Sequence, residues 1–539
     1  MKASGVLRGP GLVLVPALCA STAIAGLMVG RYGGEALLLV LGGVFVACLL
    51  FNWRLATYMA FFVATTSGIT ALILRNDLAR LLPHIAAGLA YVSFLVKSHQ
   101  TGWRMPRDAA FNAAIALSLV WTVQTLNPDQ SGVSVGILGF ASYVYFVPFL
   151  LLGYCMICSP EDARRFALFV ASTALLVFAV GIWQFVHGPR GVQSMLPGFV
   201  PFAVNTETGM HVFRFPATFS FVTQLDLYLD VALIILGGAA CALSGARRWV
   251  VSVGFACTIL LGFLNGSRTV YLTMPAGLLL LMCLLWRGRG KFRDKRNSSA
   301  ETLAFSSSPR PVLRLTPLVR SKLRRSNASR SLRVSVPLAM GLLAAMGAAG
   351  LAKDMIAARF ATLLPKDVAF QSDVVARFTK TAQLISQLVT SDPAWWRGHG
   401  TGTASPYIFH LADTSRTVFE SFPAEVLYQA GLFGVVAHIA LFLAVVAVCQ
   451  QILRTSASPE GQIWARIFAS YLLLEMAEIV VVGSESLVYF PANMLFWFVL
   501  GALLAIRDWR PHTNDSGSSM PQARVRRFVD LRLTPNSAF

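Results

Sequence analysis

Residues 166–186 read FALFVASTALLVFAVGIWQFV, 21 positions without a charged side chain. Wound as a helix, such a run reaches across the ~30 Å hydrocarbon layer of a bilayer. It follows EDARR at 161–165, so a charged link gives way abruptly to apolar sequence. Similar runs recur near 11–30, 36–52, 56–75, 81–97, 109–127, 136–158, 217–243, 249–265, 270–286, 335–353, 426–450, 461–483 and 489–506. The chain of 539 residues is 55% hydrophobic and only 13% charged, whereas a soluble domain carries about a quarter charged residues. The short alternating segments of a membrane β-barrel do not occur. The sequence therefore predicts an all-α fold, a polytopic integral membrane bundle of about 14 transmembrane helices.

Charge sets the expected orientation. The chain opens MKASGVLRGPGLVLVPALCASTAIAG, a basic start followed by an apolar run. An uncleaved first helix starting inside is expected, with a cleaved signal as the alternative. The even-numbered links should then be basic, and they are: NWRL at 52, KSHQTGWRMPR at 97, EDARR at 161, GARR at 245, QQILRT at 450 and ARVRR in the tail. The formal charge of +20 is concentrated at 287–333, where 14 Lys and Arg face only Asp294 and Glu301. A basic block beside apolar spans belongs on the cytoplasmic face, near anionic headgroups. No recognition motif or interleaved aromatics accompany it, so nucleic acid is not an expected partner. Both termini are expected in the cytoplasm. The expected segments are 1–186 (N-terminal spans), 187–353 (central spans with outward loop 187–216 and basic loop 287–333), 354–425 (a large outward loop), 426–506 (C-terminal spans) and 507–539 (a basic tail).

The eight cysteines, Cys155 and Cys158 of a CxxC included, lie in apolar runs. They read as small buried hydrophobes rather than metal ligands or a disulfide framework.

The outward links are different in kind. NPDQSGVSV, beginning at 127, has no Lys or Arg, and the long loop balances six basic against six acidic residues. Within it, VVARFTKTAQLISQLV at 374–389 spaces Val374, Val375, Phe378, Ala382, Ile385, Leu388 and Val389 as one face of an amphipathic helix. Such a helix lies at the outer interface, or forms a structural plug. Beyond it comes DPAWWRGHGTGTASPYIFH, residues 392–410, dense in glycine, tryptophan and ionisable groups.

Arg214, Arg268, Arg377, Arg397 and Arg416 fall at the same outward level. Guanidinium forks hold phosphate oxygens bidentately and keep their charge, so this set suits a diphosphate. Each arginine also has an ordinary use, snorkelling to the interface. Outward loops lack a DxD, so neither a metal nor another cofactor is expected. His399, His410, Glu420 and Glu425 are candidate bases for activating a hydroxyl, and spacing does not choose among them. Trp395 and Trp396 read either as interface anchors or as stacking surfaces for a sugar. Asp226 with Asp230, and Glu475 with Glu478, lie one turn apart within spans. They read as inter-helix hydrogen-bond partners for arginines or amides, or as an ion relay in a transporter.

The order of these features resembles the O-antigen ligase/polymerase superfamily of bacterial surface polysaccharide synthesis. It comprises Arg214 before a span, GSR at 266–268 between spans, Arg377, WWRGHGTG at 395–402 and ESFPAEVLYQAGLFG at 420–434. Trp396, Gly398, Gly400 and Gly402 match the family's glycine motif, and Gly431 to Gly434 its GLxG. The likeness covers about 190–510. It implies a glycosyltransferase of the bacterial inner membrane that works at the periplasmic face without a cofactor. Its partners would be undecaprenyl-diphosphate-linked oligosaccharide donor and acceptor, membrane lipids, and in the cell a chain-length regulator and a flippase. Arg214, Arg268, Arg377 and Arg397 would hold diphosphate, Trp395 and Trp396 saccharide, and His399 or Glu420 would be catalytic, with the glycine-tryptophan stretch a flexible saccharide-binding lip. Glu420 stands where the family often has His-Asn, which favours a polymerase over a ligase acting on lipid A core or protein. A transporter of lipid-linked oligosaccharide is the reading from another class.

Overall fold

A computed structural model describes residues 49–74, 81–101, 108–130, 132–195, 203–205, 211–267, 269–286, 339–348, 373–404, 421–455, 458–481 and 487–509, with a few isolated positions besides. The first expected span, the basic block 287–333 and the tail beyond 509 lie outside them. The described chain is helical apart from one small hairpin. In order come α1 (Trp53–Thr65), α2 (Ser67–Leu74), α3 (Leu82–Thr101), α4 (Ala109–Gln124), α5 (Val133–Tyr143), α6 (Phe149–Met156) and α7 (Pro160–Met195). The hairpin strands β1 (Ala203–Asn205) and β2 (His211–Phe213) pair antiparallel, with Val204 opposite Val212. Then follow α8 (Val222–Ala242), α9 (Gly245–Leu264), α10 (Thr269–Trp286) and α11 (Ala339–Ala348). The last four are α12 (Asp373–Ser391), α13 (Phe422–Thr455), α14 (Pro459–Val481) and α15 (Ala492–Ile506).

Five of these are long and apolar enough to cross a membrane: α7 up to Arg190, then α8, α9, α10 and α13. They are compatible with a multi-pass membrane protein. Residues expected as one span at 136–158 form two helices instead, α5 and α6, joined by a turn at 144–148. Pro148 has no N–H to continue the ladder, and it disfavours helix at the residue before it. Asn493 closes the break by donating to the Ser142 carbonyl at 2.8 Å. The expected span 56–75 is likewise interrupted at Thr66, where the Gly68 N–H turns to the Thr218 carbonyl at 2.9 Å. Loop 187–216 holds the end of α7 beyond a kink at Gly188, then the hairpin.

Two compact units can be distinguished. The smaller includes residues up to Ala60 together with His84–Trp103. There Trp53 meets Phe94 edge-on at 5.3 Å, and Ser93 donates to the Leu50 carbonyl at 2.9 Å.

The larger unit, Phe61–Pro83 with Arg104–Ser518, carries everything below. Its centre is α8 and α15, on which nearly every side chain is buried. A ring cluster of Phe61, Phe149, Phe166 and Phe498 fills the space beside α15. Helix α6 crosses α15 backbone on backbone. A Cβ at Gly153 would fall 2.0 Å from the Phe498 carbonyl, and one at Gly501 would fall 1.9 Å from that of Leu150. Small residues permit such an approach, and dispersion then holds the helices without a polar bond.

The links sort to two ends of this unit. At one, Glu161 of the EDARR link pairs with Arg247 of GARR at 2.9 Å, and Arg164 pairs with Glu460 at the start of α14. Arg507 pairs with Asp108, the N-cap of α4, at 2.6 Å, and the Trp509 ring N–H donates to the Ile157 carbonyl. The far ends of α4, α7 and α9, and the starts of α8 and α13, make up the other end. Trp395, Trp396, Arg397, His399 and Arg214, singled out in the sequence, are found there.

Candidate functional site

The stretch 392–404 is fastened between α4 and α13. Helix α13 kinks at Gly431 (φ 63°, ψ −162°), which turns backbone groups of its first segment outward. The His399 N–H donates to the freed Tyr428 carbonyl at 2.9 Å and the Gly400 N–H to that of Gln429 at 2.9 Å. In return the Leu432 N–H donates to the Trp396 carbonyl at 3.1 Å. From the other side Gln124 donates to the Arg397 carbonyl at 2.7 Å and Asn127 to that of Gly398 at 3.0 Å. Thr401 donates its hydroxyl to the Trp121 carbonyl at 3.0 Å. A flexible lip was the expectation for this stretch. The bonds make it a clasp instead, because its backbone groups are satisfied by two helices.

Beneath the clasp lies a buried polar chain. Gly402 N–H donates to the Gln429 amide oxygen. The Gln429 amide donates to Glu425 at 2.8 Å and to the Tyr143 hydroxyl at 2.9 Å, and that hydroxyl donates to Glu425. The Tyr143 ring stacks on Trp121 at 3.8 Å. Helix α12 leans on the same corner. Leu384, Ile385, Leu388 and Tyr428 pack against Ala404 and Ala424, and Thr381 donates to Ser421 at 2.9 Å. The stripe differs from expectation: Ala382 and Val389 are exposed, and Leu384 takes their place.

On this clasp the side chains are arranged with purpose. His399 Nε2 lies 2.7 Å from Asp392 Oδ2, and its ring stacks on Tyr428 at 4.4 Å. The other Asp392 oxygen accepts the Ala394 N–H at 2.9 Å. Burial pushes the Asp392 carboxyl up, but the His399 bond, the Ala394 N–H and the Arg397 guanidinium outweigh it. The carboxyl is held below its ordinary value and stays ionised near neutrality. Arg397 pairs with Asp129 at 2.7 Å, with about half of its side chain exposed. Trp396 is exposed and Trp395 half-buried beside it.

A second group forms where α8 begins and α9 ends. Arg214 Nη2 donates to Asp226 at 2.6 Å and to Ser267 at 3.2 Å. Asp226 also accepts from Asn265 at 2.5 Å and from Ser267 at 2.7 Å. Among the described residues Arg214 Nε is buried without a hydrogen-bond partner. One turn deeper, Asp230 accepts from Thr273 at 2.8 Å, and Asp230 and Glu478 are both buried.

Of the residues predicted from sequence, Trp395, Trp396, Arg397 and His399 therefore share one clasp, while Arg214 belongs to a separate cluster. Arg268 and Glu420 lie outside the described residues, as do His410 and Arg416. Arg377 is on α12, with its side chain outside the described set. Asp226 has the arginine and amide partners that its place in a span implied. Sequence reasoning missed Asp392, Asp129, Gln124 and Asn127. Asp392 had a local signal, an Asp-Pro turn opening the glycine stretch. The others come from a distant link. Among the described residues no group of three or more His, Cys, Asp or Glu is placed to hold a metal ion.

The class these features define is an all-helical chain with helices suited to a membrane and a polar clasp at one end. No protein-family model matches the chain, and no curated protein matches it either.

Proposed function

We propose that the chain is a bacterial inner-membrane polysaccharide polymerase with about 14 spans, termini in the cytoplasm and clasp in the periplasm. It would transfer a saccharide from an undecaprenyl-diphosphate carrier to a hydroxyl of another lipid-linked glycan. The observation that carries this reading is His399, held by Asp392 on an anchored loop at the end opposite the basic links. Positive-inside sorting of those links supports placing that end outside.

In this reading His399 takes the proton of the acceptor hydroxyl as its oxygen bonds to the donor's anomeric carbon. The bond from that carbon to the diphosphate oxygen breaks, and the electron pair leaves with undecaprenyl diphosphate. Arg214 contributes the guanidinium donors that Asp226 and Ser267 leave unused, and Arg397 a half-exposed one. Fixed cations offset charge on the departing diphosphate. Trp396 offers an exposed ring face for a sugar.

The test is purified protein in vesicles supplied only with lipid-linked repeat units. A ladder of longer oligomers, lost in His399→Ala and Arg214→Ala, is expected. Product only when lipid A core is added would make it a ligase. Movement of intact substrate across the vesicle, with no new glycosidic bond, would make it a transporter.

A further inference from the structure

We infer that Asp392 is a positioning residue that fixes the tautomer of His399, so that Nδ1 is the ring nitrogen that meets the acceptor hydroxyl. The inference rests on the polymerase reading for its substrate, a saccharide hydroxyl, but not for its geometry.

An ionised carboxylate only accepts hydrogen bonds, so the 2.7 Å contact requires the proton to be on Nε2. A neutral imidazole then carries its lone pair on Nδ1. Among the described residues nothing hydrogen-bonds Nδ1. Three restraints hold the ring: the Asp392 bond, the stack on Tyr428, and the backbone N–H bonded to the Tyr428 carbonyl. Asp392 is itself held through the Ala394 N–H, so the carboxylate does not swing with the ring. Both residues leave the same turn, which the His399 and Gly400 N–H groups and the Trp396 carbonyl bind to α13. Among the described residues the charges beside the pair are Arg397 and its partner Asp129, which largely offset one another.

The proton balance follows from this arrangement. The hydroxyl proton passes to Nδ1, the imidazolium so formed is stabilised by the Asp392 carboxylate through Nε2–H, and the proton leaves from Nδ1 to water. Asp392 stays ionised throughout and touches no substrate. The same wiring makes the second proton acceptor of the clasp, Glu425, unnecessary for this step, since it lies below Gln429 in the buried chain.

The experiment is 15N NMR of histidine-labelled full-length protein in detergent, with the His399 signals assigned by their loss in His399→Gln. It is paired with polymerisation kinetics on lipid-linked repeat units. Wild type is expected to show a protonated Nε2 and an unprotonated Nδ1. Asp392→Asn should scramble that preference and lower kcat about a hundredfold or more with little change in KM. Asp392→Glu should restore both in part, which separates positioning from loss of fold. A protonated Nδ1 in wild type, or an unchanged tautomer in both variants, overturns the inference. So does an unchanged kcat in Asp392→Asn when its tautomer has shifted. If the tautomer is as expected but His399→Gln polymerises as fast as wild type, the assignment of the proton stands. What fails then is the use of this histidine in the proposed reaction.

Discussion

Gly398 and Gly431 face each other so closely that a Cβ added to either would lie 2.7 Å from the backbone nitrogen of the other. Both have positive φ, 79° and 63°, so a side chain is unfavourable there even before the contact is considered. The pair is the point at which the clasp and the α13 kink lock together. Gly398→Ala and Gly431→Ala should each destabilise this junction by about 2–4 kcal/mol, from left-handed strain plus overpacking. Limited proteolysis within 392–404 should accelerate in both. Gly347→Ala, with no described atom within 4 Å of the added methyl, is the control and should leave the cleavage rate unchanged.

The Arg214–Asp226 pair makes a different prediction. Asp226 is buried and Arg214 about a quarter exposed, so removing one partner leaves a poorly solvated charge. Arg214→Ala alone should lower stability by about 2–3 kcal/mol, moderated by that exposure. Adding Asp226→Asn should recover part of the loss, because the amide needs no cation. The melting temperatures of the two single variants and the double variant form the cycle that checks it. Additive losses would mean that the two residues act independently.

How much of this was readable from residues alone follows from range. The apolar run 166–186, the basic links and the helix at 374–389 are local patterns, and a period or a charge count exposes them. The ion pairs of Glu161 with Arg247 and of Arg164 with Glu460 join links that the charge pattern had already put on one side. The break at 144–148 depends on Pro148, yet its closure comes from Asn493, 351 positions from Ser142. Gln124 reaches Arg397 across 273 positions. No spacing rule identifies such partners, because they depend on which helices become neighbours. The glycines illustrate the same limit. Glycine spacing by itself implies mobility, whereas here the backbone freedom permits close approach and thereby anchors the chain.

Acid should loosen the clasp through Asp392. Its carboxyl is held below the ordinary value in the folded protein, so its contribution is present above the unfolded pKa, about 3.9. That contribution disappears as pH falls through the lower folded value. Amide exchange at His399 and Gly400 should therefore stay slow from neutrality to about pH 5 and rise below about pH 4, beyond the intrinsic pH dependence of exchange. Asp392→Asn should remove that extra acid sensitivity. If wild type and variant exchange in parallel across the range, the carboxylate does not hold the clasp.

The buried pair Asp230–Glu478 yields the last prediction. Both side chains lie inside the bundle, and among the described residues neither Glu478 oxygen meets a hydrogen-bond donor. An amide at this position offers a donor toward Asp230. Glu478→Gln should therefore fold and accumulate like wild type, within about 1 kcal/mol, because it keeps the side chain's shape and adds that donor. Glu478→Ala opens a cavity between α8 and α14 and leaves Asp230 with Thr273, and should cost about 2–4 kcal/mol. Thermal melts of both variants in detergent distinguish these outcomes. Equal losses would mean that the carboxyl itself, and not a polar side chain of that volume, is required between the two helices.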